Sequence, residues 1–98
     1  MRWYVARGFE VLDRNWRCPR GEIDLVLCRH GTVVFCEVKT RSSDRFGSPL
    51  EAVGRDKQRR LRRLASVWLA GRPGFYASVR FDVAAVTGAR VQVVEGAF

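Results

Sequence analysis

The chain has 98 residues and a formal net charge of +8, with 18 lysine and arginine residues against 10 acidic ones. This length supports one domain with a single modest core. Only Lys39 and Lys57 are lysines, so the excess is almost wholly arginine, whose planar guanidinium binds phosphate through two hydrogen bonds. Nucleic acid is therefore the expected partner, although a solvated basic surface or an arginine-favouring coding bias would give the same composition.

The three cysteines, Cys18, Cys28 and Cys36, lack the spacing of a metal site. The chain shows neither a signal peptide nor an apolar run of membrane-spanning length. We therefore expect a cytoplasmic protein with free thiols and no membrane contact. A homodimer is one assembly that these features allow.

The first predicted element is the end of a helix. Residues 2–7 form its last turns, with two aromatic side chains packed inward and Gly8 as the C-terminal stop. A strand follows at residues 9–12 and continues irregularly to Arg17. The segment Cys18-Pro19-Arg20-Gly21 then turns the chain into the next strand.

A β-hairpin is predicted from two apolar runs, residues 21–28 and 33–39, which flank a short polar stretch containing a glycine. Three charged residues interrupt these otherwise buried runs: Asp24, Glu37 and Lys39. Buried charge is costly unless it is paired or holds a metal. The three residues are therefore candidates for a functional site.

The register of the hairpin decides whether these charges meet. A four-residue loop at residues 29–32 pairs Asp24 with Glu37, and directly paired residues share a face of the sheet. A three-residue loop would place the two carboxylates on opposite faces, because a slip by one residue flips every side chain. We expect the four-residue loop, and with it a cluster of Asp24, Glu37 and Lys39 at one end of the hairpin.

Two adjacent carboxylates beside an ammonium suit phosphate chemistry. Like charges a few ångströms apart resist joint ionisation, and carboxylate oxygens are suitable ligands for Mg²⁺. Lys39 could then stabilise the phosphate or help to activate a water molecule. Arg14, Arg17 and Arg20 are expected near the mouth of the cluster, either as phosphate contacts or as solvated loop charges.

A polar loop at residues 40–47 leaves the strand end that carries the cluster. Binding groups often lie on such loops, which makes Arg41 and Arg45 candidates for phosphate contact. The following segment, Ser48-Pro49-Leu50-Glu51, has the N-cap, proline and glutamate typical of a helix start.

The main helix is predicted over residues 56–70. At about 100° per residue, Lys57 and Gln58 lie close to the apolar stripe and should point toward the sheet and the acidic cluster. The alternative for Lys57 is a stem on the core edge with its head in solvent. The basic residues that turn away form either a solvated face or a DNA-contacting one. The apolar stripe comprises Leu61, Leu64, Ala65, Trp68 and Leu69. The outward basic residues are Arg59, Arg62 and Arg63.

Two further strands, at residues 79–86 and 90–94, complete the predicted sheet. Asp82 lies within the first of them. Its simplest role is to pair with a neighbouring arginine, and we do not expect it to be a metal ligand.

These residues carry a resemblance to known proteins. Asp24 followed by Glu37-Val38-Lys39 resembles the Asp…Glu-x-Lys core of the PD-(D/E)xK nuclease superfamily. An ordered set of motifs along nearly the whole chain resembles the YraN family, uncharacterised protein family 0102, of small bacterial proteins with an endonuclease-like fold. The motifs are Asn15-Trp16-Arg17, residues 21–25, residues 35–41, Phe46-Gly47-Ser48-Pro49, Lys57 and Arg80-Phe81-Asp82-Val83.

The resemblance implies an α/β (α+β) fold in one domain over residues 1–98, with a restriction-endonuclease-like three-layer core and a central mixed sheet flanked by helices. It implies Mg²⁺ or Mn²⁺ as cofactor, bound by Asp24, Glu37 and the Val38 carbonyl, with Lys39 acting on water or phosphate. The implied activity is hydrolysis of branched or single-stranded DNA. The alternatives are nucleic-acid binding without cleavage and an adaptor for a DNA-processing partner.

The start of the chain departs from the family. YraN-like proteins usually carry a Gly-Glu pair in the first helix, and that glutamate resembles an extra acidic residue of Holliday-junction resolvases. Residues 1–9 match only the end of this helix, so the acidic position would lie before Met1. Either the start has been trimmed or mis-assigned, or the chain lacks one candidate metal ligand.

Overall fold

A computed structural model of the chain describes residues 1–41 and 53–98. The described part contains two helices and five strands. In chain order these are α1 (Arg2–Val5), β1 (Glu10–Cys18), β2 (Gly21–Arg29), β3 (Thr32–Arg41), α2 (Arg55–Ala70), β4 (Ser78–Thr87) and β5 (Arg90–Val94). Arg45 and the helix start predicted at residues 48–51 lie outside the described residues. Neither described helix is long and apolar enough to cross a membrane.

The strands form one mixed sheet in the order β1-β2-β3-β4-β5. Strands β3 and β4 are parallel, and each of the other neighbouring pairs is antiparallel. The chain passes from β3 to β4 through α2, as a parallel pair requires a crossover connection. The predicted fold class, a mixed α/β sheet with helices on both faces, is confirmed.

The register of the β2–β3 hairpin is the one predicted from the charges. Val26 pairs with Phe35, and Cys28 pairs with Val33. The predicted four-residue loop is wrong, because pairing continues to Arg29 and Thr32 and leaves only His30-Gly31 as the turn. Both turn residues have positive φ, 49° and 78°, which a two-residue type I′ turn requires. The shorter loop leaves the register unchanged, because it adds one more pair to the same ladder.

One face of the sheet packs against α2. The helix presents Leu61, Leu64, Ala65 and Trp68 as a buried stripe, in agreement with the predicted spacing. The Trp68 ring meets the Phe35 ring edge to face, at 5.6 Å between centroids. The main core cluster on this face comprises Ile23, Val26, Val33, Phe35, Leu64, Ala65, Trp68 and Phe81.

The opposite face packs against α1 and holds a second buried cluster: Tyr4, Phe9, Leu25, Leu27, Val34, Cys36 and Ala84. The Tyr4 hydroxyl donates to Asp82 at 2.7 Å, and Arg80 forms two hydrogen bonds of 2.9 Å with the same carboxylate. Asp82 is fully buried. The expectation that it pairs with an arginine is confirmed.

Candidate functional site

The site forms where the start of β2 and the end of β3 lie beside the start of α2. Along β2, Ile23 packs into the cluster under α2, whereas Leu25, two residues later, packs into the cluster under α1. A regular strand would place both side chains on one face, so the alternation is broken at Asp24. Asn15, which lies opposite Asp24 on β1, has a φ of 47°. At this irregularity the Asp24 carboxylate reaches the backbone of β3.

The Asp24 carboxylate is anchored to the neighbouring strand. Its Oδ2 accepts a hydrogen bond of 2.7 Å from the backbone N–H of Val38. Burial raises the pKa of Asp24, the Val38 hydrogen bond opposes that rise, and the negative charge of Glu37 adds to it. Leu25 pairs with Cys36, so the next position of the predicted register brings Asp24 beside Glu37, whose charge acts on the Asp24 carboxyl.

Glu37 lies at the centre of the site and is almost fully buried, with 8 % of its surface exposed. Its Oε1 is 2.6 Å from the Nζ of Lys57 and 3.7 Å from the Nζ of Lys39. Lys57 comes from α2 and Lys39 from β3, so the carboxylate joins the helix to the sheet. The prediction that Lys57 points toward the acidic cluster is confirmed.

The two lysines perturb each other. The hydrogen bond with Lys57 lowers the pKa of Lys39, and burial lowers it further. Burial is the largest single influence on Lys57 and acts to lower its pKa, but the hydrogen bonds with Glu37 and Lys39, together with the negative charge of Glu37, outweigh burial and leave that pKa raised. Lys57 is thus held as an ammonium, whereas Lys39 releases a proton more easily than an ordinary lysine. This is the arrangement expected of groups that handle protons or anions.

A cavity of about 410 Å³ opens beside Asp24. It is lined by Met1, Arg14, Asn15, Asp24, Leu25 and Val38. The position of Arg14 agrees with its predicted approach to the cluster. An anion in this cavity would meet the guanidinium of Arg14, but also the Asp24 carboxylate beside it. Because like charges repel, a phosphate is favoured there when a cation binds together with it.

The donor set suits a hard divalent cation. Mg²⁺ is commonly bound through one or two carboxylates together with waters and substrate phosphates, and Asp24 with Glu37 supplies two carboxylates. Residues 1–41 and 53–98 contain no group of three or more acidic, histidine or cysteine side chains placed to hold a metal. The residues present therefore fit a cation completed by water and substrate, and do not form an all-protein cage.

The other predicted contact residues are distributed around the site. Arg17 pairs with Glu22 at 3.1 Å in a solvent-exposed ion pair. Gln58 donates to the Val53 carbonyl at 3.2 Å and so helps to hold the start of α2. Arg41 ends β3, at the edge of the described residues.

Two features of the site were not predicted. One is the hydrogen bond that ties Asp24 to the backbone of Val38, which depends on a break in strand alternation that a period-two pattern does not reveal. The other is Arg60, whose positive charge acts to lower the pKa of Lys57. The three-residue spacing from Lys57 to Arg60 on a helix was the available signal.

All three cysteines are free thiols, and Cys36 is buried. Burial raises the pKa of the Cys36 thiol to about 12, so it behaves as a small apolar side chain. The predicted free thiols are confirmed.

Comparison with known proteins gives one consistent result. Residues 1–86 match the model of Uncharacterised protein family UPF0102. A UPF0102 protein of Frankia alni is 53 % identical over 102 residues, which cover 99 % of this chain and 85 % of the relative. A UPF0102 protein of Beutenbergia cavernae is 57 % identical over 89 residues, covering 91 % and 75 % of the two chains. A UPF0102 protein of Moorella thermoacetica is 48 % identical over 97 residues, covering 93 % and 81 %.

Proposed function

The chain belongs to Uncharacterised protein family UPF0102, and we propose that it binds nucleic acid and hydrolyses a phosphodiester with a divalent cation held by Asp24 and Glu37. The observation that carries the proposal is the convergence of Asp24, Glu37, Lys39 and Lys57 from three elements on one site. Glu37 contacts both amines, and Val38 on the same strand holds Asp24, so the site combines ligands for a hard cation with donors for a phosphate.

Each side chain has a distinct role in this proposal. Asp24 is held by Val38 and presents a carboxylate whose ionisation a cation would favour. Lys57 fixes the Glu37 side chain through their 2.6 Å contact. Lys39, which lies 3.7 Å from the same carboxylate oxygen and has the lowered pKa, is positioned to hold a phosphate oxygen or to take a proton from water.

Mg²⁺ or Mn²⁺ bound by the two carboxylates, with the Val38 carbonyl as a further candidate ligand, would supply Lewis-acid stabilisation of charge on the phosphate. In the reaction, a water molecule gives up a proton as its oxygen adds to phosphorus, the ester P–O bond breaks, and the departing oxygen takes up a proton. Lys39 stabilises the added negative charge during this step.

Arginines around the site would position the substrate. Arg14 lines the cavity beside Asp24, Arg17 lies on the same strand, and Arg41 ends the strand that carries Glu37. Phosphate contacts of this kind fix orientation without reading sequence. Branched or single-stranded DNA is the proposed substrate class, by the resemblance to resolvases.

A second candidate function is nucleic-acid binding without cleavage. The observation that favours it is the contact of Lys57 with Glu37, because an ammonium at this distance already neutralises the carboxylate that a cation would need. In this alternative the four side chains form a charged phosphate-binding surface and do not react.

The test compares labelled single-stranded, duplex and four-way-junction DNA with and without Mg²⁺ or Mn²⁺. Product formation is measured for the wild type, Glu37→Gln and Lys39→Met. The matched control is Glu10→Gln, which removes an exposed carboxylate of β1. Cation binding is followed separately as the rise in melting temperature with added MgCl₂.

Cleavage that needs the cation, is lost in Glu37→Gln and Lys39→Met, and persists in Glu10→Gln is the expected result. Binding with a steep salt dependence but no cleavage by the wild type would support the second candidate. An absence of nucleic-acid binding at low salt would overturn both and leave the adaptor hypothesis.

A further inference from the structure

A second cavity, of about 600 Å³, lies between the β1–β2 turn and the exposed side of α2. We call it the arginine groove. It is lined by Arg20, Asp56, Arg59, Arg60, Arg63 and Leu64.

The groove is strongly basic. Its walls carry four guanidinium groups against a single carboxylate, that of Asp56. Arg59 and Asp56 form an exposed pair at 3.6 Å, which contributes little. Within the part of the chain that the structure describes, Arg20, Arg60 and Arg63 make no ion pair. At least three guanidiniums therefore face this cavity without a neutralising partner among the described residues.

Close packing gives the groove a defined shape. A Cβ placed on Gly21, at the end of the β1–β2 turn, would lie 3.3 Å from Leu64 Cδ1 and 4.0 Å from Arg60 Cδ. The turn thus rests directly on the helix. Leu64 is buried and forms an apolar floor beneath the arginines. The basic side chains consequently surround a fixed concave surface.

The arginine groove adjoins the acidic site. Arg60 is one helical turn from Lys57 and acts electrostatically on it, while Lys57 contacts Glu37. On the other side, Arg20 also lines a neighbouring cavity of about 510 Å³ with Arg17 and Glu22. Positive charge therefore continues from the acidic site along the helix and around the β1–β2 turn.

We propose that the arginine groove binds the phosphates of the nucleic-acid strand that flanks the phosphodiester held at Asp24 and Glu37. The inference rests on the proposed function and extends it by assigning the path of the bound strand. Arginine side chains at i and i+3 on one helix, such as Arg60 and Arg63, are separated by about 4.5 Å along the axis, so both can contact one backbone. A polyanion with one charge per nucleotide suits a row of guanidiniums over an apolar floor.

The experiment measures the dissociation constant of labelled oligothymidine by fluorescence polarisation across salt concentrations. One strand of about 16 nucleotides is long enough to fill both site and groove, and one of about two nucleotides, which has a single internucleotide phosphate, can occupy only one of them. The groove variant is Arg60→Ala with Arg63→Ala. The matched control is Arg2→Ala with Arg55→Ala, which removes the same charge from exposed positions outside the groove. A 16-residue polyglutamate peptide probes the alternative of an acidic protein partner.

The groove variant should weaken binding of the long strand and lower the slope of log affinity against log salt by about 1.4, because each lost phosphate contact removes about 0.7. The advantage of the long strand over the short one should shrink. In the control variant that advantage should persist.

Equal effects of the two double variants on the long strand would overturn the inference and leave the proposed function intact, since cleavage and its dependence on Glu37 are measured separately. A groove variant that loses polyglutamate binding but keeps DNA binding would assign the groove to an acidic protein. Wild-type protein that binds neither strand at low salt would overturn both the inference and the proposed function.

Discussion

The substitution Asp82→Asn tests whether Asp82 has a structural role. The carboxylate is fully buried and accepts four hydrogen bonds. Oδ1 accepts from Arg80 Nε at 2.9 Å and from the Gly96 N–H at 3.0 Å. Oδ2 accepts from the Tyr4 hydroxyl at 2.7 Å and from Arg80 Nη2 at 2.9 Å. In either orientation, the NH₂ of an asparagine would face two donors.

The expected loss follows from these contacts. One lost hydrogen bond involves the Arg80 charge and is worth about 1.5–3 kcal/mol, and the other is worth about 1 kcal/mol. Together these losses agree with the roughly 3–5 kcal/mol that removing one partner of a buried ion pair typically costs. Glu95, 3.5 Å from Arg80, compensates in part, so we expect about 3 kcal/mol. That is a large share of the roughly 5–15 kcal/mol that stabilise such a domain.

Urea unfolding followed by tryptophan fluorescence measures this loss, since Trp68 lies in the core and reports on packing. A companion variant, Tyr4→Phe, removes only one neutral donor and should cost about 1 kcal/mol. If Asp82→Asn proves no more destabilising than Tyr4→Phe, the argument from four accepted hydrogen bonds is wrong. Both folded variants should keep the response to Mg²⁺, because Asp82 is not among the proposed ligands.

Three further predictions concern the site and its surroundings. Glu37→Gln should lower the pKa of both lysines, because it removes the carboxylate charge that they share. The chain has only two lysines, so lysine-selective ¹³C labelling and NMR can follow each titration. Unchanged titration curves would contradict the contacts of both lysines with Glu37. Burial raises the pKa of Asp24 in the folded chain. Between the ordinary aspartate pKa and the raised one, the folded state therefore holds a proton that the unfolded chain has released. The free energy of unfolding should fall as pH rises through this range. Asp24→Asn removes this loss of stability and should raise the midpoint of urea unfolding near pH 7 in EDTA. A lower midpoint would contradict the raised pKa of Asp24. Gly21→Ala should destabilise the fold by about 1–3 kcal/mol, because Gly21 has a φ of +145° and the new Cβ would lie 3.3 Å from Leu64. The control Gly71→Ala should cost less in urea unfolding, since a Cβ there would meet only contacts of 3.7 Å. Equal losses of stability would refute the steric argument.

Several features of the site were predictable because they follow from periodicity. Side chains alternate along a strand and repeat at about 100° per residue along a helix. The first rule places Asp24 and Glu37 opposite each other in the hairpin, and the second turns Lys57 toward the sheet. The structure confirms the register from the pair of Leu25 and Cys36 to the pair of Arg29 and Thr32. It also confirms the contact between Lys57 and Glu37, whereas the alternation breaks at Asp24.

Other features were not predictable from these rules because they depend on exceptions to them. His30 takes a left-handed conformation, which shortens the loop to two residues, although histidine is not a usual turn residue. The break in alternation between Ile23 and Leu25 depends on packing against both helices. No local pattern in residues 21–25 signals that break.

The amino-acid sequence by itself determined the basic charge, the hairpin, the main helix and the meeting of Glu37 with Lys57, because each follows from composition or from repeats over a few neighbouring residues. Only the tertiary structure decided that Asp82 is held by Tyr4 and Arg80. It also decided that Lys57 binds Glu37 more closely than Lys39 does. Finally, it decided that Arg20 joins the arginines of α2 around one groove. Most of these contacts join residues far apart in the chain. Their distances are set by how the helices and the turn pack on the sheet, and local periodicity contains no information about that packing.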